Sequence, residues 1–349
     1  MSTEPIEIYV DALANVHSHL REGYDVVKSL VEKAVEGGAD VLAPMPNTTE
    51  GLTDANQVLK YIKTAESYVP SGKKVTFLPI VMVSEDAPFK TIDDCVENSV
   101  VDCKIYPLDR TTKSHNGVRH YGRLLPLIKH CGKVGMKCHF HPEHPSMIFD
   151  NRDAEFLFLP ILDMFLNETQ AIIISEHGTD RRCIPHWQEM AKSGRFFVTL
   201  TAHHLATNED AGFGDVRAVC KPPIKTRADQ MALVNLVQKN YSWVMAGLDD
   251  APHDVKSKHV HKGRCDCGAY TPFGLQLYAH ALSLTLLGMR TFVNFTSQNA
   301  RKLHNLPPAS RIVKLVKQPF LIPPHYQIGS WTVEPFWAGE KIDWSQSFD

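Results

Sequence analysis

The residues best placed to do chemistry are histidines, one lysine and one aspartate at the ends of short apolar runs. His17 and His19 close the run 11–17 with one residue between them. Along a strand, residues i and i+2 face the same way, so the two imidazoles share a side. Two neutral imidazoles on one face are half of a transition-metal site, although the same spacing also suits a solvated polar edge. His139 and His141 repeat the spacing at the end of 136–141, where one of the two suffices as a ligand. Glu176-His177 closes 171–177, His203-His204 follow 196–202, and Asp249 closes 243–249, with His253 four residues on. Lys104 is of another kind. It lies inside the apolar run 101–106, where an ammonium is costly to bury without a partner. Its stem either snorkels to solvent or the amine is desolvated and neutral. A neutral amine adds CO2 to give a carbamate, an anionic two-oxygen ligand able to bridge two metals.

Each motif is weak alone; their common place at strand ends makes a metal site the better reading. Four imidazoles (His17, His19, one of His139 and His141, and His177), the Asp249 carboxylate and a Lys104 carbamate exceed one tetrahedral shell, so the set suits two metals. An imidazole-rich set favours Zn2+ over Mg2+ or Ca2+. A paired site holds a bridging hydroxide as nucleophile and polarises a carbonyl oxygen. Arg21 offers a planar fork for a carboxylate, Asn47 places an amide after 41–46, and His253 follows Asp249. A surface ion pair is the other reading of Arg21.

These positions need strands to hold them. Eight short apolar runs recur: 11–17, 41–46, 75–83, 101–106, 136–141, 171–177, 196–202 and 243–249. Several lack alternation, as in Ile172-Ile173-Ile174, which fits parallel strands covered on both faces. Helical patterns lie between them. Residues 24–35 stop at Gly37-Gly38, 53–68 open with Thr53 and Asp54 as caps, 121–134 carry Pro126 early and end at Gly135, and 227–240 follow a Pro-rich loop. Eight strands alternating with helices predict an α/β fold, a (β/α)8 TIM barrel with a small C-terminal appendage from about residue 318, the whole of 1–349 forming one domain. A doubly wound open sheet is the main alternative.

Composition narrows the partners. The 349 residues carry 37 Lys+Arg against 39 Asp+Glu, a net charge of −2, which gives no electrostatic reason to expect nucleic acid or an anionic membrane. With 43% hydrophobic and 22% charged residues the chain reads as an ordinary globular protein. The start, Met-Ser-Thr-Glu-Pro-Ile-Glu, has neither a basic nor an apolar segment and is not expected to be a signal peptide. The most apolar stretch, 156–162, is too short to cross a bilayer and contains Pro160. The 8 scattered Cys are read as reduced thiols in the cytoplasm, and Cys265-Asp266-Cys267 as a loop feature rather than a zinc knuckle. The 18 His are the one compositional excess.

His17-Ser18-His19-Leu20-Arg21, Met45-Pro46-Asn47, Lys104-Ile105-Tyr106-Pro107, His141-Pro142-Glu143, Glu176-His177 and Asp249-Asp250-Ala251-Pro252-His253 occur in this order. Together they resemble the motifs of dihydroorotase, in its short stand-alone bacterial and fungal type, within the amidohydrolase superfamily. The resemblance runs from about residue 11 to 307. It implies a (β/α)8 barrel with two zinc ions bridged by N6-carboxylated Lys104, His17, His19 and Asp249 on one ion and His141 and His177 on the other. The implied activity is that of a cyclic amide hydrolase: reversible cyclisation of N-carbamoyl-L-aspartate to L-dihydroorotate in de novo pyrimidine (UMP) biosynthesis. A bridging hydroxide is the implied nucleophile and Asp249 the implied general acid and base. Arg21, Asn47 and His253 match positions that bind the substrate carboxylate, while backbone near Lys221 and Gly268 matches ring contacts. Thr111 and Thr112 lie where the family has a mobile loop that closes over the substrate. The implied partner is a small molecule, with neither nucleic acid nor membrane involved and a homodimer as the assembly considered. The chain departs from the family at Asn15, where an Asp is frequent, at the extra His139, and in a shorter loop at 265–268. A hydantoin- or dihydropyrimidine-cleaving relative is the second enzyme reading; Arg21 and Asn47 speak against it, because those substrates lack the carboxylate. An inactive scaffold is the non-enzyme reading, and the retention of all six ligand positions speaks against that.

Overall fold

The structure is a computed structural model that describes residues 5–261 and 263–347. Residues 1–4, on which the reading of the chain start partly rests, lie outside the described residues. Strand β1 (Glu7–Asp11) stands apart from the parallel strands and pairs antiparallel with a strand near the C-terminus. Next come β2 (Leu13–Ser18), β3 (Ala39–Pro44) and β4 (Thr76–Phe77), a three-stranded sheet with parallel neighbours. The strands β5 (Ile80–Val83), β6 (Asp102–Ile105), β7 (Lys137–Phe140), β8 (Ile172–Ser175), β9 (Phe196–Leu200) and β10 (Val244–Ala246) form a six-stranded parallel sheet in sequential order. Every residue of β2, β3, β5, β6 and β7 is buried, so both faces of these strands are covered.

Each of the eight apolar runs overlaps a strand, although β2 runs one residue past 11–17 and β3 begins two residues before 41–46. One of them departs from expectation: 75–83 breaks at Leu78-Pro79 into β4, paired with β3, and β5, paired with β6. Proline lacks the N–H that a continuous central strand would donate. The run therefore serves both sheets. At the other side the sheets meet through a parallel bridge of Ser18 with Asp250 and a hydrogen bond from Asp249 N to His17 O at 2.9 Å. Strand order is sequential, without the reversal that marks a doubly wound sheet. The ladders among the described residues nonetheless leave two sheets, not one closed ring.

Helices α1 (Tyr24–Glu36), α2 (Ala55–Glu66), α3 (Phe89–Glu97), α4 (Leu125–Val134), α5 (Leu159–Glu168), α6 (Ile184–Ala191), α7 (Ala202–Ala206) and α8 (Arg227–Gln238) connect the strands. Their ends follow local chemistry. The Asp54 side chain caps α2 by accepting from Gln57 N, and Gly135 ends α4 at φ 80°. Thr226 and Asp229 form a reciprocal capping box on α8. The stretch 156–162 is a 3-10 turn leading into α5, and among the described residues no helix is long and apolar enough to cross a membrane.

Alternation along the strands sorts the interior. Cys103, Ile105, Cys138, Phe140 and Ile173 pack in the main core with the helices, whereas Ile174, Val41 and Ala43 belong to a smaller cluster. Lys104 and His139 alternate with that main-core set and pair in register with each other. After Val316 of β11 (Ile312–Val316), short antiparallel pairs follow, and Ser345–Ser347 returns to β11. This last segment buries Phe336, Ile342 and Trp344, and its Gly329 N donates to Ser29 Oγ on α1 at 3.0 Å.

Candidate metal centre and substrate pocket

The strand ends bring His17, His19, His141, His177 and Asp249 around one small cavity. His17 Nε2 and His19 Nε2 lie 3.2 Å and 3.0 Å from the same oxygen, Asp249 Oδ1. The His177 ring stands 4.5 Å from that of His141 and 5.2 Å from that of His17. Lys104, fully buried, sits behind the cavity wall with its Nζ against Glu176 Oε2 and 5.1 Å from the centre of the Tyr106 ring. Arg21, His177 and Asp249 have positive φ (57°, 41° and 48°), a strained backbone that tends to gather where function over-determines geometry.

Burial sets the charge states. It lowers the pKa of His17 and His141, holds His177 well below the usual range and brings His19 down to about 3, so all four imidazoles are neutral and free to ligate. Burial also holds Lys104 well below the ordinary lysine range, as a neutral amine able to take up CO2 requires. For Asp249, burial opposes ionisation, but His17 and the hydrogen bonds from His17 and His19 prevail and keep it a carboxylate.

Whether this set suits a metal is tested by its unpaired atoms. His17 Nδ1, Lys104 Nζ, Glu176 Oε2 and His177 Nδ1 are buried and lack a hydrogen bond of proper geometry. Buried polar atoms are seldom left so, and four in one place fit a set of groups arranged for ions. His17, His177 and Asp249 also have ligand atoms within 4.8 Å of one another. Among the described residues the same closeness holds for Asp102/His139/His304, Cys103/Cys131/Cys138 and His203/His204/Cys220.

The same cavity is also lined by Arg21, Asn47, Thr111, Thr112, Lys221 and Gly268. Arg21 donates from Nε to Pro252 O at 3.0 Å and lies 2.9 Å from His253 Nε2, which places His253 behind Arg21 rather than on the wall. Among the described residues no carboxylate comes within ion-pair distance of Arg21, so the surface ion pair is not what this buried guanidinium makes. Gly268 is needed for close packing: a Cβ there would fall 2.5 Å from Ala251 O. The Lys221 ammonium turns away to Asn151.

The loop bearing Thr111 and Thr112 lies down over the cavity. Asn47 Nδ2 donates to Thr112 O at 3.1 Å, and Lys113 Nζ donates to Glu22 Oε2 at 2.6 Å. The enclosed space is about 20 Å3, room for a single water, so entry of a larger molecule requires that loop to lift.

Some groups around the site had been given no role from the sequence. Asn15 holds β2 to the end of β10, with Nδ2 donating to Asp250 Oδ1 at 3.2 Å and Oδ1 accepting from Leu248 N at 3.0 Å. Glu143 faces His141 Nε2 at 2.8 Å, and Tyr106 joins the cavity wall. Asp102 and His304 lie deeper, beside His139. A carboxylate alternating with Lys104 on an apolar strand was the available signal for Asp102; nothing local marks His304.

No family model matches the chain. In sequence it is similar to the dihydroorotase of Shewanella putrefaciens, 28% identical over 336 residues that cover 94% of this chain and 96% of that one. In structure it is similar to dihydroorotase in complex with 5-fluoroorotic acid from Saccharomyces cerevisiae, with a TM-score of 0.90, 27% identity, and 98% and 99% of the two chains covered. The L-hydantoinase (dihydropyrimidinase) from Arthrobacter aurescens shares the fold at a TM-score of 0.80 and 13% identity, over 97% of this chain and 83% of that one. Over nearly its whole length, in sequence as in backbone, the chain is similar to dihydroorotases.

Proposed function

We propose that this chain is a dihydroorotase, interconverting N-carbamoyl-L-aspartate and L-dihydroorotate for pyrimidine biosynthesis. The observation that carries the reading is one small cavity lined both by neutral imidazoles and Asp249 and by Arg21, which is unpaired with any carboxylate among the described residues. The residues that would hold two zinc ions are His17, His19 and Asp249 for one, His141 and His177 for the other, with carboxylated Lys104 between. Bound zinc supplies Lewis acidity, lowering the pKa of water and polarising an amide carbonyl.

The chain's own groups do the rest. Arg21 and Asn47 bind the substrate carboxylate, with His253 steadying Arg21 from behind. Backbone at Lys221 and Gly268 contacts the ring. In the hydrolytic direction the C–N bond of the ring amide breaks and a C–O bond to water's oxygen forms. Asp249 accepts the proton released by that water and returns it to the leaving nitrogen. Closure of the loop at Thr111 and Thr112 excludes bulk water, which favours ring formation in the reverse direction.

We read the two parallel sheets as arcs of one (β/α)8 barrel in a single domain, with the segment from about 318 as an appendage; the split run 75–83 and the Ser18–Asp250 bridge support closure at both seams. A cytoplasmic location fits the eight free cysteines. The test is metal analysis of the purified protein beside an assay on dihydroorotate. Zinc near two per chain with turnover supports the reading, and zinc-loaded protein without turnover rejects it.

A further inference from the structure

Behind the candidate ligands lies a second layer of buried polar groups. His139, on β7 beside Lys104 of β6, has a carboxylate at each ring nitrogen: Asp102 Oδ1 at 3.0 Å from Nε2 and Glu176 Oε1 at 2.9 Å from Nδ1. His304, just past the last helix (Asn299–Leu303), places Nδ1 3.2 Å from the same Asp102 oxygen, and its ring stacks on His139 at 5.8 Å. The other oxygen of Glu176 lies 3.2 Å from His17 Nδ1 and against Lys104 Nζ. Contacts thus run unbroken from His304 through Asp102, His139 and Glu176 to two candidate ligands, and all six side chains are buried.

Asp102, His139 and His304 are near enough to enclose an ion themselves. Two observations favour hydrogen-bonded support instead. Lys137 sets an ammonium 3.6 Å from Asp102 Oδ2, and both ring nitrogens of His139 already face carboxylates. Partners behind a ligand fix its orientation and are typically worth about ten- to a hundredfold in metal affinity. A carbamate nitrogen also keeps one N–H, a donor that Glu176 Oε2 is placed to accept.

We propose that His139 is a positioning residue: anchored by Asp102, it holds Glu176 so that the free carboxylate oxygen fixes Lys104 and His17. The inference rests on the metal reading above, but its test needs no turnover. Zinc affinity is measured by chelator competition on the full chain for the parent, H139L, E176Q and the double variant, with thermal unfolding as the check on folding. The expected result is zinc binding about ten- to a hundredfold weaker in H139L, with similar loss in E176Q and no further loss in the double variant. Lys104 carboxylation, read as the carbamate signal with 13C-labelled CO2, falls in parallel. Where activity is measured, kcat drops while KM for dihydroorotate stays, since Arg21 is untouched. Parent-like zinc affinity in a folded H139L, or losses that multiply in the double variant, overturns the proposal. If H139L does not fold, H304F decides: a smaller loss of affinity in the same direction supports it, and none overturns it. A parent that binds zinc but ignores dihydroorotate refutes the substrate reading alone.

Discussion

Lys104 and Arg21 are both basic side chains removed from water, and they differ in the charge they keep there. Lys104 is fully buried among aromatic rings and imidazoles, and its low pKa makes it an amine rather than an ammonium. Its replacement by Ala is expected to abolish zinc-dependent turnover, with partial rescue by added small carboxylates that stand in for the carbamate; full activity in K104A would remove the carbamate from the account. Arg21 is also buried, and burial lowers its pKa, yet with a guanidinium the charge remains. Truncating one partner of a buried, hydrogen-bonded charge pair costs about 2–5 kcal/mol, so R21M is expected to weaken kcat/KM for dihydroorotate by roughly thirtyfold or more. Its zinc content should match the parent's, and unchanged kinetics would take Arg21 out of the site. The positions of these residues were legible because strand spacing and an apolar context single them out. The role of His139 was not, since its partners Asp102, Glu176 and His304 come from three other segments that no local pattern links.

At the scale of elements, β5 and β8 were readable because strands covered on both faces leave apolar stretches, whereas in β6 and β7 polar and apolar residues alternate. The break at Pro79 was also in the sequence, as a residue that cannot donate to a ladder, but which sheet each half joins depends on packing. The rim loops are fastened by an ionic network, with Asp180 and Lys225 buried and two arginines half-buried, that only the fold assembles. Asp180, which caps the turn after His177, meets Arg182 at 2.6 Å, Arg152 at 3.2 Å and Lys225 at 3.5 Å. Burial works to raise its pKa, but the hydrogen bond from Arg182 and the nearby Lys225 bring it below 3.8. A carboxylate whose folded pKa is depressed contributes stability that is present above its unfolded value and lost as pH falls through the folded one. D180N should therefore melt below the parent at pH 7, with the gap narrowing under about pH 3.8. A gap that stays constant down to pH 3 would show that the charge of Asp180 is not what fastens the loops.

For the whole molecule, the excess of His resolves into layers. His17, His19, His141 and His177 face the cavity, His253 stands behind Arg21, and His139 and His304 lie beneath Lys104 and Glu176. Such layering places the chemistry at one rim of the parallel strands, where strand ends and loops meet. The same backbone serves hydantoinases, so the fold leaves the substrate open and the side chains lining the cavity beside the imidazoles must select it. In this chain they include Arg21 without a carboxylate partner among the described residues, and a substrate bearing a carboxylate supplies one. The most direct measurement is therefore kcat/KM of the zinc-loaded protein on L-dihydroorotate and on an unsubstituted hydantoin, side by side. Chelator-sensitive turnover of dihydroorotate at least a hundredfold above that of the hydantoin is expected, about 2.7 kcal/mol of discrimination by the carboxylate. Equal rates, or a preference for the hydantoin, would contradict it.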